Sequence, residues 1–394
     1  MTTKYIAIYA GLAVIIVASV SLLFSPFRHY LGLTTFTAKD KSGPCQNAIN
    51  VKDYGAKGDG SADDTKAIAD ASTASKTSVR ASGAINAYIG SSDPICFPAG
   101  DYKISNELAL KAYANIYGEG DVRITQSCAS CNIFVFRGGY TITLRNIHFI
   151  GGKNQIFFEN NNTDTTTVAI ENSQFESAND YAIYTNGTSD GHLSAEISIY
   201  ASKFINSRKV MRNVADHVIM RDSSIVVSKN NFDANSGAIW NRESSSIFFN
   251  NVTATANLNG VSQVRWVDNN GNFFVDKSIF AGENGGIPIV YQFGAPITAY
   301  PFMGKSVVIR NSKISAGSDT VIVLKEAVPQ LVLMQGNTYS ATHHVFSDAA
   351  SLAGYIDAVN KVMPLSLKTQ AFNIQVEDVS QANVPAALQS FVRK

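Results

Sequence analysis

Residues 144–149 read LRNIHF, and the same six-residue phrase returns as IENSQF at 170–175 and as IYASKF at 199–204. Weaker copies continue along the chain as VSKNNF at 227–232, FFNNVT at 248–253, VDKSIF at 275–280, IRNSKI at 309–314 and MQGNTY at 334–339. The first and final phrases end at Phe149 and Tyr339, seven steps apart, so one step averages about 27 residues. A fixed period of this length indicates stacked repeats.

Apolar and polar residues alternate within each phrase, which predicts a β-strand because successive side chains of a strand point to opposite faces. A second short apolar stretch follows most phrases, as in QIFF at 155–158, YAIY at 181–184, KVMR at 209–212, GAIW at 237–240, QVRW at 263–266 and TVIV at 320–323. No helical segment separates these strands, so βαβ crossovers and helical solenoids are excluded. The pattern predicts an all-β solenoid with two or three short strands in each turn.

The Asn that recurs inside the phrases is interpreted as a structural residue. Asn tolerates a left-handed backbone and can bond its own main chain at a turn. We therefore expect Asn146, Asn172 and Asn230 to stack as a ladder at one corner of the solenoid.

The segment 50–68, NVKDYGAKGDGSADDTKAI, precedes the repeats. A tight chain reversal is expected at its glycines, which are Gly55, Gly58 and Gly60. Ser61 or Asp63 is expected to cap a helix that begins near Asp64, and this role is favoured over catalysis for the aspartate pair. The apolar face of the helix would consist of Ala67, Ile68 and Ala71. Such a helix would close the open end of the solenoid.

Three motifs resemble those of a known family, namely the segment 50–68, ICFPAGDYKISNELAL at 95–110 and NIYGEGDVRIT at 115–125. They are similar to the entry motif, the first-turn motif and the following glycine turn of the pectate lyase superfamily, in the branch of rhamnogalacturonases and epimerase-like β-helices. With the repeats, the resemblance covers about residues 45–345. It implies a right-handed, single-stranded parallel β-helix that holds a polysaccharide.

Residues 5–24, YIAIYAGLAVIIVASVSLLF, carry no charge and are long enough to span a bilayer core of roughly 30 Å. A cleaved signal peptide is the alternative, but no good cleavage site is present. We expect an uncleaved single-pass anchor, with the β-helix in the periplasm or outside the cell. The predicted organisation is an anchor at 1–30, a stalk at 31–44, the β-helix at 45–348, and a C-terminal cap helix with a peripheral strand and tail at 349–394.

The charge balance and the cysteine count indicate which partners and which metal sites are expected. The 32 basic and 31 acidic side chains nearly cancel, so a nucleic-acid partner, which usually needs a basic surface, is not expected. The even number of cysteines permits two disulfides, with Cys45, Cys96, Cys128 and Cys131 as the candidates. For the C-x-x-C pair, a local disulfide or two free thiols are favoured over a metal site, because no second ligand pair is nearby.

Two catalytic patterns of related β-helix enzymes are absent from the sequence. Polygalacturonase-like relatives carry Asn-Thr-Asp, paired aspartates, Gly-His-Gly and Arg-Ile-Lys on neighbouring turns. The partial matches, Asn162-Thr163-Asp164, Asp180 and Gly191-His192, are 16 and 12 residues apart and cannot stack in one column. Calcium-dependent pectate lyases need clustered acidic side chains, and none occurs at the repeat spacing, so no cofactor is expected.

One column of residues passes the spacing test. In the family, the second strand of each turn and its flanking turns usually form the substrate groove. Candidates for substrate binding are Tyr184, Arg212, Trp240, Glu243 and Asp268, and candidates for catalysis are Asp180, Arg242 and Arg265. Arginines grip carboxylates, an aromatic ring offers a face to a sugar, and a carboxyl group or Tyr184 can exchange a proton.

Two functions remain open from the sequence. The first is an enzyme that acts on an acidic polysaccharide as a lyase, a glycoside hydrolase or an epimerase. The alternative is a non-catalytic glycan-binding β-helix in envelope or exopolysaccharide assembly or export. The sugar and the oligomeric state are left open.

Overall fold

A computed structural model describes the chain over the following residues: 45–82, 87–110, 113–137, 141–159, 166–186, 193–206, 209–213, 215–228, 239–241, 246–257, 265–269, 272–282, 287–291, 306–315, 322–324, 331–339 and 373–376. Of the compact unit Met1–Gln46, only the last two residues are described. The second unit, Asn47–Lys394, contains the solenoid.

The solenoid begins with a cap and two long strands. These elements are β1 Ile49–Asn50, a 3-10 helix Val51–Tyr54, β2 Asp59–Asp63, the α-helix α1 Thr65–Ala74, β3 Thr77–Ser82, β4 Ala87–Ser92, β5 Ile95–Ile104 and β7 Asn115–Gln126. Strands β3 and β4 pair with each other in antiparallel fashion.

Each later turn contributes three short strands, except the turn of β30 and β31, for which two are described. Before a sharp corner lie β9 Thr141–Arg145, β12 Thr166–Glu171, β15 Leu193–Tyr200, β18 Ala215–Arg221, β21 Ser246–Asn250, β24 Asn272–Asp276, β27 Ser306–Arg310 and β30 Leu331–Gln335. After the corner lie β10 His148–Gly151, β13 Gln174–Glu176, β16 Lys203–Ile205, β19 Ser224–Ser228, β22 Thr253–Asn257, β25 Ile279–Gly282, β28 Lys313–Ser315 and β31 Thr338–Tyr339.

The third strand of each turn belongs to a separate nine-stranded sheet, which we call the front sheet. Its strands are β6 Leu108–Leu110, β8 Phe134–Arg137, β11 Ile156–Glu159, β14 Tyr181–Thr185, β17 Lys209–Arg212, β20 Ile239–Asn241, β23 Arg265–Asn269, β26 Ile287–Tyr291 and β29 Ile322–Leu324. Corresponding strands of successive turns pair in parallel, with about 26 residues to a turn. The prediction of an all-β, right-handed parallel solenoid is confirmed.

The core is a set of side-chain columns that run along the solenoid axis. Alternate strand residues point inward, so residues in register stack upon each other. Phe149, Phe175 and Phe204 are fully buried in one such column, with ring centroids 5.1 and 4.9 Å apart. The burial of many large apolar side chains in these columns holds the turns together.

Each turn passes its corner through one residue with a left-handed backbone. These residues are Asn146, Asn172, Ala201, Asp222, Asn251, Lys277, Asn311 and Gly336. The predicted ladder is confirmed for Asn146 and Asn172, because the Asn172 Nδ2 donates to the Asn146 Oδ1 at 2.8 Å. The prediction for Asn230 is wrong, since Ile225 pairs with Phe204 and this register puts Asp222 at that corner. Asn230 itself lies outside the described residues.

Directly after the corner runs an inward-facing serine ladder that the sequence analysis missed. Its members are Ser173, Ser202, Ser223, Ser278 and Ser312, all buried. Each hydroxyl donates to the carbonyl two residues earlier and accepts an N–H from the preceding turn, as Ser202 does with Tyr200 O at 2.9 Å and Ser173 N at 3.2 Å. The ladder satisfies backbone groups that the bend would otherwise leave buried without partners.

The helix predicted at the open end is present as α1, with Ile68 and Ala71 buried and Ala67 half-buried. The Asp63 carboxylate accepts the Thr65 N–H at 3.0 Å, and hydrogen bonds from Ser105 and Thr65 lower the pKa of Asp63. Ser61 does not cap the helix; its N–H donates to Asp59 instead. The buried Asp64 accepts the N–H groups of Lys57 and Gly58, which fixes the glycine reversal.

Three expectations concern segments outside or at the edge of the described residues. The predicted anchor at 5–24 and the predicted helix at 349–363 lie outside them. Among the described residues, no helix has the length and apolarity needed to cross a membrane. The predicted C-terminal strand is present as β32 Asn373–Val376, which pairs in parallel with β30.

Candidate functional site

The register of the front sheet places several of the predicted residues in one column. Successive pairings place Phe157 opposite Val135 and Tyr184, and then Arg212 opposite Tyr184. The register continues from Arg212 to Trp240 and from Trp240 to Asp268. Three residues of the column predicted from spacing, Tyr184, Arg212 and Trp240, therefore share one register position, and the predicted acidic neighbour Asp268 continues it.

Tyr184 lies between an aromatic ring and a cation. Its ring stacks on Phe157 with centroids 5.3 Å apart, and the Arg212 guanidinium carbon lies 5.0 Å from its centroid. Since Phe157 and Arg212 come from the turns on opposite sides of Tyr184, they cover both faces of the ring. Tyr184 thus offers its hydroxyl edge rather than a flat face for a sugar.

The guanidinium of Arg212 is oriented by the main chain. Its Nη1 donates to Thr185 O at 2.6 Å, and the Thr185 hydroxyl donates to Arg212 O at 3.0 Å. These two bonds connect neighbouring strands and hold the cation over Tyr184. A guanidinium has five N–H donors in a planar fork, which suits two-point binding of a carboxylate.

A second tyrosine–cation contact lies at the start of the same two strands. The Lys209 Nζ lies 4.8 Å from the ring centroid of the buried Tyr181 and 3.7 Å from Asp180 Oδ1. The Tyr181 and Tyr184 rings meet edge to face at 5.4 Å. We call Asp180, Tyr181, Tyr184, Lys209 and Arg212 the tyrosine–cation cluster.

The cluster brings two cations close to a single carboxylate. Lys209 and Arg212 are three positions apart on β17, which corresponds to roughly 10 Å along a strand. One carboxylate, Asp180, and two phenols, those of the buried Tyr181 and the half-buried Tyr184, accompany them. Chemically, this set can bind anionic groups and transfer a proton.

The other predicted site residues are placed as follows. Arg265 lies three positions before Asp268 and pairs with Ile287, so it is not at the register position of Trp240. Arg242 and Glu243 lie outside the described residues. The register advances 28 residues from Trp240 to Asp268, whereas the predicted step from Arg242 to Arg265 was 23, which explains the misplacement.

Three residues near this column were missed, namely Phe157, Tyr181 and Lys209. The signal was present in the sequence, because Tyr181 and Lys209 are 28 residues apart, as are Tyr184 and Arg212. The cations of the predicted site were all arginines, so Lys209 was not among them. The cysteine pair Cys128 and Cys131 forms the local disulfide that was one of the favoured readings, and no described cysteine is free.

Two carboxyl–histidine neighbours lie on other faces of the solenoid. The His148 Nε2 and Glu176 Oε2 are 2.8 Å apart after the corner. Before the corner, Glu196 pairs in register with His217. Burial raises the pKa of Glu196, and His217 opposes this shift. Neither pair belongs to the front sheet.

The family model described as rhamnogalacturonase A/epimerase, pectate lyase-like matches residues 48–288. Among solved structures, the surface protein and adhesin PfbA of Streptococcus pneumoniae is similar at 14% identity, with 76% of this chain and 99% of that chain covered and a TM-score of 0.44. The A-module of mannuronan C-5 epimerase AlgE6 of Azotobacter vinelandii is similar at 18% identity, with 76% and 78% covered and a TM-score of 0.41. No curated protein sequence matches the chain.

Proposed function

We infer the function from one premise, which is that the chain belongs to the rhamnogalacturonase A/epimerase, pectate lyase-like family, whose model matches more than half of its residues. Membership supports a protein that is active on a polysaccharide. The further proposal is that the chain processes an acidic polysaccharide at the tyrosine–cation cluster. The observation that carries it is the Arg212 guanidinium held in register over Tyr184 on the outer face of the front sheet.

The charge of the cluster supports an acidic sugar. The cluster holds two cations, Arg212 over the Tyr184 ring and Lys209 over the Tyr181 ring, and Asp180 pairs with Lys209 alone. A uronate carboxylate that binds Arg212 would gain a charge-assisted hydrogen bond, which contributes about 1.5–3 kcal/mol. A neutral glycan would leave this charge without a counter-ion from the ligand.

The proposed reaction is abstraction of the proton beside the uronate carboxylate, the step shared by lyases and epimerases. Arg212 would stabilise the negative charge that develops on the carboxylate. Asp180 would accept the proton, and the Tyr184 hydroxyl would donate one. Hydrolysis is less well supported, because it needs two carboxyl groups about 5–9.5 Å apart, and the cluster contains one.

A non-catalytic glycan-binding role is the second candidate. Its support is the contact between Asp180 and Lys209, since this ion pair occupies the one carboxylate of the cluster that could otherwise accept the proton. In that case the polymer would be held for envelope or exopolysaccharide assembly or export, and no bond would be broken.

The purified full chain should be incubated with acidic and neutral polysaccharides, and both chemistry and retention should be measured. A gain in ultraviolet absorbance from unsaturated uronates would indicate a lyase, and inverted uronate stereochemistry by NMR would indicate an epimerase. New reducing ends alone would contradict the proton-abstraction proposal. Retention on an acidic polymer without any reaction would support the binding protein, and no retention would overturn both candidates.

Variants of the cluster sharpen the test. Arg212→Gln is expected to weaken retention on the acidic polymer by about 10- to 100-fold, because the charge-assisted bond is lost. Tyr184→Phe keeps the ring stack and removes only the hydroxyl. It is expected to leave retention within about threefold and to lower kcat by about 100-fold or more if the hydroxyl transfers a proton.

The proposed location is the outer side of a membrane, where residues 5–24 would act as the anchor. The support is their uncharged sequence and its length. N-terminal sequencing of the mature protein is expected to find this segment intact. A mature chain that begins beyond Phe24 would show that it is a cleaved signal peptide.

A further inference from the structure

The Cys128–Cys131 disulfide closes a four-residue loop that is directly bonded to the neighbourhood of Asp180. Within the loop, Ala129 O accepts a hydrogen bond of 3.1 Å from the Asn179 side-chain amide. Asn179 immediately precedes Asp180 in the chain. The contact joins residues 50 positions apart, so it depends on how the loop is folded.

A line of backbone hydrogen bonds runs from the same loop into the cluster. Lys153 N donates to Cys131 O at 2.7 Å, Asp180 N donates to Lys153 O at 2.8 Å, and Lys209 N donates to Asp180 O at 2.8 Å. The line therefore starts at a disulfide cysteine and ends at the two residues that form the ion pair of the cluster.

A parallel line of buried amides reaches the other side of Asp180. The Asn154 Nδ2 donates to the Asn132 Oδ1 at 2.9 Å, and its own Oδ1 accepts the Tyr181 N–H at 3.2 Å. Asn132 is held in turn by Gln126, which donates to its carbonyl at 2.8 Å and also accepts the Cys128 N–H. Asn179 and Tyr181, the two neighbours of Asp180, are thus both connected to the disulfide loop.

We propose that the Cys128–Cys131 loop positions Asp180 and Lys209, with Asn179 as the positioning residue, so that glycan affinity depends on the oxidised state of the disulfide. The proposal rests on the proposed function of the cluster. In the reduced protein the loop has more accessible conformations, and the contact between Ala129 and Asn179 must compete with them. Asp180 and Lys209 would then spend less time in the geometry that meets the ligand.

The redox step is a simple exchange with a dithiol. Two electrons and two protons convert the S–S bond to the thiols of Cys128 and Cys131. Dithiothreitol supplies them and closes to its own cyclic disulfide. Because Cys96 is disulfide-bonded as well, the Cys128→Ser/Cys131→Ser variant is needed to separate this loop from the rest of the chain.

The experiment compares the full chain in the oxidised form, after dithiothreitol, and as Cys128→Ser/Cys131→Ser and Asn179→Ala variants. All three changes are expected to weaken retention on the acidic polymer by about three- to tenfold, the effect of losing one hydrogen bond. The thermal midpoint of the Asn179→Ala variant should stay near that of the parent, and Asn179→Gln, which keeps an amide donor, should restore most of the affinity. Ser130→Ala, in the same loop, is the matched control and should bind as the parent does.

Hydrogen exchange provides a second measurement, which tests the positioning role of the disulfide loop even if the cluster does not bind a glycan. Hydrogen exchange of the Asp180 and Lys209 amides, both bonded in the line above, should accelerate on reduction whether or not a glycan binds. If the parent binds the polymer and reduction leaves its affinity unchanged, the proposal is overturned. If no polymer binds, the cluster proposal has failed, and unchanged exchange at these amides would overturn the positioning role too.

Discussion

The corner of the solenoid and the tyrosine–cation cluster are both columns of polar side chains stacked from turn to turn, but they differ in repetition. The corner repeats its left-handed backbone in every described turn from Asn146 to Gly336, with serines beneath most of its members. The cluster occurs on two neighbouring strands, β14 and β17. A feature that the backbone needs in order to bend is expected in every turn. A feature that occurs in only two turns is not needed for the bend, and binding of a ligand is the alternative explanation that we propose.

The largest effect is expected inside the corner. Ser202→Val removes the acceptor of the buried Ser173 N–H, whereas Tyr200 O keeps a hydrogen bond from the Asn172 N–H at 3.0 Å. An unsatisfied buried backbone group costs about 1–3 kcal/mol, and the larger valine must also fit a fully buried position, so the free energy of unfolding should fall by at least that amount. Urea unfolding of the full chain measures this loss.

Val252 is the natural control for that prediction, because it occupies the same ladder position and is fully buried. Val252→Ser is expected to change the free energy of unfolding by less than about 1.5 kcal/mol, since it adds a hydroxyl that can bond within the ladder. If Ser202→Val is as mild as Val252→Ser, the serine ladder has no special role in the corner.

A smaller effect is expected on the outer side of the corner. Asn172 has a φ of +46° and donates to Asn146, so Asn172→Ala loses a hydrogen bond and strains the backbone. The free energy of unfolding should fall by about 1–2 kcal/mol. Asn172→Gly relieves the strain and loses only the bond, so it should be the milder change. Equal losses would mean that backbone conformation contributes nothing at this corner.

Glu196 is an outward-facing carboxyl group away from the cluster, and we expect it to affect the stability of the fold but not glycan binding. Burial raises the pKa of Glu196 above its ordinary 4.5, and its Oε1 has no hydrogen-bond partner among the described residues. The neutral form is therefore favoured in the folded state, so its contribution is complete below pH 4.5 and is lost as pH rises through the folded pKa.

Glu196→Gln should accordingly be more stable than the parent at pH 7, and the difference should shrink as the pH falls through the folded pKa and stay constant below 4.5. Thermal unfolding across this pH range measures the change. Retention on an acidic polymer should be unaffected. A loss of retention would show that glycan binding extends to the face before the corner, which would weaken the contrast between the two regions.

The repeated features of the solenoid could be predicted from the sequence, because they recur in every turn. Alternation and period identified the strands, and Asn at the corner was read correctly where the repeat was regular, as at Asn146 and Asn172. The prediction failed at Asn230. The apolar–polar alternation of VSKNNF is as regular as that of the two strands on either side of Asp222, so alternation alone could not tell which of them forms the corner. The length of that turn is determined by hydrogen bonds to the neighbouring turns, and these are not encoded in the local pattern.

The site was less predictable than the fold. Tyr184 and Arg212 were found because one turn separates them without a change of register. Arg265 was misplaced, since the register advances 28 residues between β20 and β23, whereas Arg242 and Arg265 are only 23 residues apart. The disulfide loop was interpreted as local, and its connection through Asn179 to Asp180 spans 50 residues, a relationship that no single-turn spacing reveals.

The smallest effect is expected at Arg137, which lies on the same outer face of the front sheet but outside the cluster. It is exposed and bonds Glu159 at 2.8 Å, and an exposed ion pair of this kind contributes less than about 1 kcal/mol. Arg137→Gln should leave both the unfolding free energy and the glycan affinity close to those of the parent. Arg212→Gln removes the same charge from a cation that is oriented over Tyr184.

Binding titrations at several salt concentrations distinguish two explanations of the difference. If affinity depends on orientation, only the Arg212 variant should weaken binding at every salt concentration. If both variants weaken binding equally and the effect disappears at high salt, the face attracts the polymer through its overall charge. The tyrosine–cation cluster would then bind the polymer no more specifically than any other group of cations on the surface. Its restriction to two turns would have to be explained by something other than a ligand.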